Sequence, residues 1–165
     1  MVLLLQNHRR YAVAKRSAGL LMYRRSGGRL EVFLVHPGGP FWAKKDLGAW
    51  SIPKGEYESA ELALEAAKRE FHEETGLIPQ GAFIEIGTIK QSGGKLVTAW
   101  AFEGDFDPTH LISNTCKIEW PPRSGRLTEF PEVDRGAWFS LPHAKERILK
   151  TQQPFLENLS QALNA

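Results

Sequence analysis

Residues Gly55–Leu77 read G-E-Y-E-S-A-E-L-A-L-E-A-A-K-R-E-F-H-E-E-T-G-L. Seven glutamates lie in this stretch, and three of them, Glu70, Glu73 and Glu74, crowd its end just after Arg69. If residues 61–75 form a helix, these three stand at i, i+3 and i+4, on one face and about one turn apart. Like charges at that spacing cost a helix roughly 0.2–0.5 kcal/mol per pair. A hard divalent cation such as Mg²⁺ or Mn²⁺ takes carboxylate oxygens as ligands and turns the repulsion into attraction. A solvated acidic helix face is the competing reading of the three glutamates taken alone.

The spacing of the whole stretch favours the first reading. It fits G-x5-E-x7-R-E-U-x-E-E-x-G-U, where U is bulky and apolar, through Gly55, Glu61, Arg69, Glu70, Phe71, Glu73, Glu74, Gly76 and Leu77. At ordinary residue frequencies the seven fixed positions match by chance, at a given start, with probability on the order of 10⁻⁸. The stretch resembles the Nudix box, with no departure at any defined position. The resemblance implies a hydrolase that cleaves a diphosphate linkage in a nucleoside diphosphate derivative. It also implies one to three Mg²⁺ or Mn²⁺ ions, held by Glu70, Glu73, Glu74 and the backbone carbonyl of Lys54. Glu70, Glu73 or an acid from a later loop would take the proton of the attacking water. Glu132, six residues before Trp138, is the candidate loop acid, with Glu129 next. Arg69 has Glu65 at i−4 and Glu73 at i+4, and its fork suits holding and aiming a carboxylate.

Outward from the box, apolar runs mark strands over residues 17–24 and 30–36, joined by the Ser26-Gly27-Gly28 turn into a hairpin. Ser59 is the expected N-cap of the box helix. Leu62, Ala63, Ala66, Ala67 and Phe71 are its expected core side, and Gly76 its left-handed C-cap. Residues 82–90 and 95–102 read as strands around Ser92-Gly93-Gly94. Residues 103–126 read as irregular, with a short strand over 118–120. A strand over 137–140, with Trp138 inside, and helices over 142–150 and 154–163 complete the chain. That order suggests an α/β domain with a mixed sheet between helices, and the resemblance implies an αβα sandwich with a mixed central sheet. Residues 16–165 are expected to form this single domain, and 1–15 a poorly ordered tail.

The loop P-G-G-P-F-W-A-K-K-D-L-G, residues 37–48, leaves two readings open. Lys44 and Lys45 are phosphate contacts or solvated side chains, and Phe41 and Trp42 stack on a base or pack the loop down. His36 is a substrate contact or a structural histidine. Lys90 and Lys95, beside their turn, and Arg123 and Arg126 are likewise phosphate contacts or exposed cations.

The chain has 165 residues, 42% of them hydrophobic and 24% charged, as in an ordinary globular domain. A net charge of +2 does not call for nucleic acid or membrane as a partner; the expected partner is a small nucleotide. The single cysteine, Cys116, rules out an intrachain disulfide and fits the cytoplasm. The Val2–Leu5 run is too short for a signal core or a membrane span. The outline resembles the asymmetrical diadenosine tetraphosphate hydrolase branch in three features: the A-G-L opening strand, G-A-W-S-I-P-K-G before the box, and the acidic loop ahead of Trp138. The alternatives are a nucleoside triphosphate, ADP-ribose or an RNA 5′ end as substrate, or a binding module without turnover.

Overall fold

A computed structural model describes residues 15–164. The tail expected over 1–15 therefore lies, apart from Lys15, outside the described residues. Strand β1 (Arg16–Ser26) pairs antiparallel with β2 (Arg29–Pro37) through Tyr23–Ser26, with Gly27 and Gly28 at φ 58° and 78° in the turn. Along β1 the side chains alternate. Ala18, Leu20 and Met22 enter one core, Leu21 and Tyr23 the other; on β2, Phe33 and Val35 join the first, Val32 and Leu34 the second. Burial on both faces explains why these strands read as continuous apolar runs.

Helix α1 (Ala63–Thr75) covers the first face with Ala66, Ala67 and Phe71. The second is covered by α2 (Leu141–Arg147) and α3 (Gln153–Asn164), through Ala144, Phe155, Leu156 and Leu159. The layers are the expected αβα sandwich. Its sheet is mixed, because β1 runs parallel to β5 (Leu96–Glu103) while the other pairs are antiparallel. The strand order is β4 (Ile84–Lys90), β5, β1, β2, β8 (Val133–Ser140). The other edge of β1 is divided. β3 (Lys54–Glu56) pairs with Ser17–Gly19 at one end and β2 with Tyr23–Ser26 at the other. This split places the candidate site.

Three expectations change. The N-cap of α1 is Leu62, not Ser59, and it makes no side-chain cap. Leu62 is 76% exposed rather than part of the core. Residues 103–126 hold more than the short strand expected over 118–120: β6 (Thr115–Glu119) overlaps it and pairs with β7 (Leu127–Pro131) as a separate hairpin. That hairpin is polar and largely exposed, so it lacks the apolar signature of a core strand. Gly76 does cap α1 in the left-handed region, φ 81°, its amide donating to the His72 carbonyl at 2.8 Å. Among the described residues no helix is long and apolar enough to cross a membrane.

Candidate active site

The site begins where β3 meets the last turns of α1. The Leu20 amide donates to the Pro53 carbonyl and the Tyr57 amide to the Arg16 carbonyl, each at 3.1 Å. Bonded and non-bonded pairs alternate along an antiparallel ladder. Gly55, opposite Ala18, therefore bonds to β1, while Lys54 turns both its N–H and its C=O away. The Lys54 N–H donates to Glu74 Oε2 at 3.0 Å, and its carbonyl faces the same side. A Cβ at Gly55 would fall on the Glu70 carboxylate. The box glycine is thus the gap in which Glu70 lies against β3.

Arg69 gathers the acids around it. Its Nε and Nη2 hold Glu61 with bonds of 2.9–3.2 Å, while Nη1 donates to Glu70 at 2.9 Å and to Glu73 at 3.3 Å. The sequence reading placed Glu65 and Glu73 beside Arg69. Glu73 is there, but Glu65 pairs with Lys68 at 3.4 Å and Glu61 takes the fork. Glu61 is a fixed position of the motif, which was the available signal. It precedes the helix, so helical spacing missed it.

At the split between β2 and β3 a cavity of about 190 Å³ opens. Val35, Trp42, Ala49, Ile52, Val133 and Leu149 give it apolar walls, and Lys54, Glu74 and Glu132 are its charged lining. Burial pushes the Glu74 carboxyl well above the ordinary carboxylate range, with Glu70 and Glu132 adding repulsion and the Lys54 amide opposing. Burial likewise raises Glu70, opposed by Arg69. Glu132 is raised by burial and by the charges of Glu70 and Glu73, and burial lowers the Lys54 ammonium, with Glu74 opposing. Glu132 lies between β7 and β8; its amide donates to the Asn114 carbonyl, and the Asn114 amide donates to the Glu73 carbonyl, at 2.9 and 2.8 Å. These bonds fasten the loop acid to the end of α1.

Oxygen donors of this kind suit a hard divalent cation. Carboxyl groups crowded in and beside a partly buried pocket are the observation that calls for one. Among the described residues, however, no three His, Cys, Asp or Glu side chains are gathered closely enough to hold a metal ion. Arg69 draws Glu70 and Glu73 towards itself, and the Lys54 amide draws Glu74.

The other sequence candidates fall at different distances from this centre. Lys44 and Lys45 are exposed in the loop whose Trp42 lines the cavity, and Lys45 Nζ stands 4.9 Å over the Trp42 ring. Lys90 is exposed at the end of β4, with β5 and β1 between it and β3. Lys95 pairs with Glu56 at 3.0 Å. His36 is fully buried, and both its ring nitrogens are engaged. Nε2 donates to the Lys45 carbonyl at 2.6 Å and Nδ1 shares a hydrogen bond with Asp134 at 2.9 Å. This corrects the substrate-contact reading of His36: no ring nitrogen is left for a ligand. It pins the Trp42 loop and the start of β8 together instead. Removing one partner of a buried hydrogen bond costs about 1–3 kcal/mol. His36→Leu is therefore expected to lower Tm, by about 2–4 °C per kcal/mol for a chain of this length. An unchanged melting curve would remove the pin. Gln152, also fully buried and not anticipated, accepts the Ile52 amide at 3.0 Å and holds the strand leading into the box.

The NUDIX domain family model matches residues 13–159. No curated protein matches the sequence. Among solved structures, the NUDIX domain of Shewanella oneidensis NrtR, complexed with ADP ribose, is 15% identical, with 93% of this chain and 90% of that chain covered and a TM-score of 0.65. A C. elegans Ap4A hydrolase in a binary complex is 22% identical, with 92% and 98% covered and a TM-score of 0.63. A Nudix hydrolase from M. smegmatis, RenU, is 22% identical, with 90% and 84% covered and a TM-score of 0.56. At these identities the likeness is one of fold.

Proposed function

The chain belongs to the NUDIX domain family; from that premise we propose that it is a hydrolase of pyrophosphate linkages and cleaves a dinucleoside polyphosphate such as diadenosine tetraphosphate. The observation that carries the reading is the meeting of Glu74, Glu132 and Lys54 with apolar walls in one cavity, beside Glu70 and Glu73. Such a cavity suits a nucleobase in its apolar part and phosphates at its charged end. The shared fold with a C. elegans Ap4A hydrolase supports the substrate class. The box residues Glu70, Glu73 and Glu74, with the Lys54 carbonyl, are the proposed holders of Mg²⁺ or Mn²⁺.

A bound divalent ion would neutralise phosphate charge and lower the pKa of a water. The chain's own residues do the rest. Glu132 is the proposed general base, because Glu70 and Glu73 are paired with Arg69 while its side chain has no ion-pair or hydrogen-bond partner among the described residues. It takes the proton as the water oxygen bonds to phosphorus, the bond from phosphorus to the bridging oxygen breaks, and the departing phosphate keeps that electron pair. Arg69 acts through Glu70 and Glu73 as a positioning residue.

A substrate panel with Mg²⁺ and Mn²⁺, products separated by chromatography, tests the proposal. It holds dinucleoside polyphosphates, nucleoside triphosphates, ADP-ribose and 5′-triphosphorylated RNA. The expected result is fastest release of ATP and AMP from diadenosine tetraphosphate. Turnover confined to one of the other substrates would overturn the substrate class and keep the hydrolase.

A further inference from the structure

The cavity is small for the proposed substrate. At about 190 Å³ it falls below the roughly 300–1,000 Å³ of pockets that enclose a drug-sized ligand. It holds one base or its sugar, so most of a dinucleoside polyphosphate must lie outside. Next to its wall stands a feature that the catalytic reading does not use. The β6–β7 hairpin rises from the site itself, one root bonded to the Glu73 carbonyl through Asn114 and the other carrying Glu132. It leans on the loop that bears Trp42. A Cβ at Gly38 would fall on the Pro131 carbonyl, and one at Gly39 would meet Ile118 Cδ1 at 3.2 Å. The rings of Phe41 and Trp120 meet edge to face, with centroids 5.4 Å apart.

Phe41 is 54% exposed in this contact, although its neighbour Trp42 packs against the core. Trp120 holds the ring on one side, and part of its surface is left to solvent. Phe41 precedes Trp42, whose side chain lines the cavity, but its own ring lies outside that lining. Lys44, three residues on from Phe41, and Arg123 and Arg126, in the turn that follows Trp120, are exposed and have no ion-pair partner among the described residues. Arg126 is tied to the aromatic pair through its carbonyl, which accepts the Trp120 amide at 2.9 Å. The nearby acids are held locally: Glu119 accepts the Gly125 amide at 3.3 Å, and Asp46 accepts from the Trp50 indole at 2.8 Å.

We infer that Phe41 and Trp120 form a second nucleoside site, on which the far base of a dinucleoside polyphosphate stacks, with Lys44, Arg123 and Arg126 facing the phosphates that join it to the cavity. An aromatic face takes any base, and free cations complement a polyphosphate. This inference rests on the dinucleoside polyphosphate reading above.

Steady-state kinetics on two substrates test it: diadenosine tetraphosphate, and adenosine 5′-tetraphosphate, which lacks the second adenosine. Phe41→Ala is expected to raise KM for the first about tenfold, the effect of one lost base-stacking contact. Its KM for the second stays unchanged. The Arg123→Ala/Arg126→Ala pair, which faces phosphates present in both substrates, raises KM for both, and Trp120→Phe restores what Trp120→Ala loses. Leu127→Ala, on the other strand of the hairpin, is the control. Equal effects of Phe41→Ala on both substrates, or none, overturn the second site while leaving the substrate reading intact. A wild-type enzyme that hydrolyses adenosine 5′-tetraphosphate but no dinucleoside polyphosphate overturns both. A Phe41 effect seen only on triphosphorylated RNA makes the Phe41–Trp120 pair a polynucleotide site and overturns the inference as stated.

Discussion

Glu74→Gln is expected to leave a folded protein whose turnover has fallen by about 10²–10⁴, the rate equivalent of several kcal/mol of lost charge stabilisation. The amide keeps the shape and can still accept the Lys54 N–H, which bonds to Glu74 Oε2 at 3.0 Å. It lacks the charge a divalent ion requires. Stability should move the other way. The Glu74 carboxyl is pushed well up, first by burial and then by Glu70 and Glu132, so the folded state binds a proton more tightly than the unfolded chain. The metal-free wild type is therefore expected to lose stability as pH rises from the ordinary carboxylate range through that raised value. Glu74→Gln removes this loss, melts higher than the wild type at neutral pH without metal, and gains less from added Mg²⁺. Melting curves with and without Mg²⁺, read beside kcat/KM, check both halves. A variant with wild-type activity would sink the assignment of Glu74 to the metal.

The second large effect is at Gly55. Its backbone is not in the left-handed region, so the glycine is needed for space and not for φ. The Cβ of an alanine would fall on the Glu70 carboxylate, which is also held by Arg69 at 2.9 Å. Moving Glu70 therefore disturbs the fork that holds Glu61 and Glu73. Overpacking of this kind costs about 1–3 kcal/mol of stability, and a misplacement of about 1 Å at a reacting centre costs about 10²-fold in rate. Gly55→Ala should show both. Shortening the neighbour separates them: Gly55→Ala with Glu70→Asp recovers stability but not activity. If Gly55→Ala alone keeps full activity, Glu70 has another way to reach the site. Gly76 is needed for a different reason. It adopts φ 81° as the cap of α1, where any side chain strains the backbone.

Much of this site was legible as intervals along the chain. Glu70, Glu73 and Glu74 fall on one helix face because the helical repeat is local, and β1 and β2 declare themselves because burial on both faces demands unbroken apolar runs. The start of α1 was misjudged. Ser59 offers a capping hydroxyl, but the chain enters the helix only after Leu62, which stays exposed. Of the β6–β7 hairpin only the short strand over 118–120 was legible; β7 and the pairing were not, because the pairing buries little and propensity is weak where packing does not enforce it.

The sequence by itself determined the chemistry: the box, its three closely spaced carboxylates, the arginine among them and the Gly76 cap follow from residue types at fixed separations. Only the tertiary structure decided which distant groups share that chemistry. Glu61 rather than Glu65 holds Arg69, Glu132 is fastened to the end of α1, and Trp42 and Leu149 wall the cavity. His36, open to two readings in the sequence, is a buried pin with both nitrogens engaged. These outcomes depend on chain segments brought together across up to about a hundred residues, as between His36 and Asp134. Local periodicity reaches only the next turn or the next strand residue, and the closure of the sheet decides the rest.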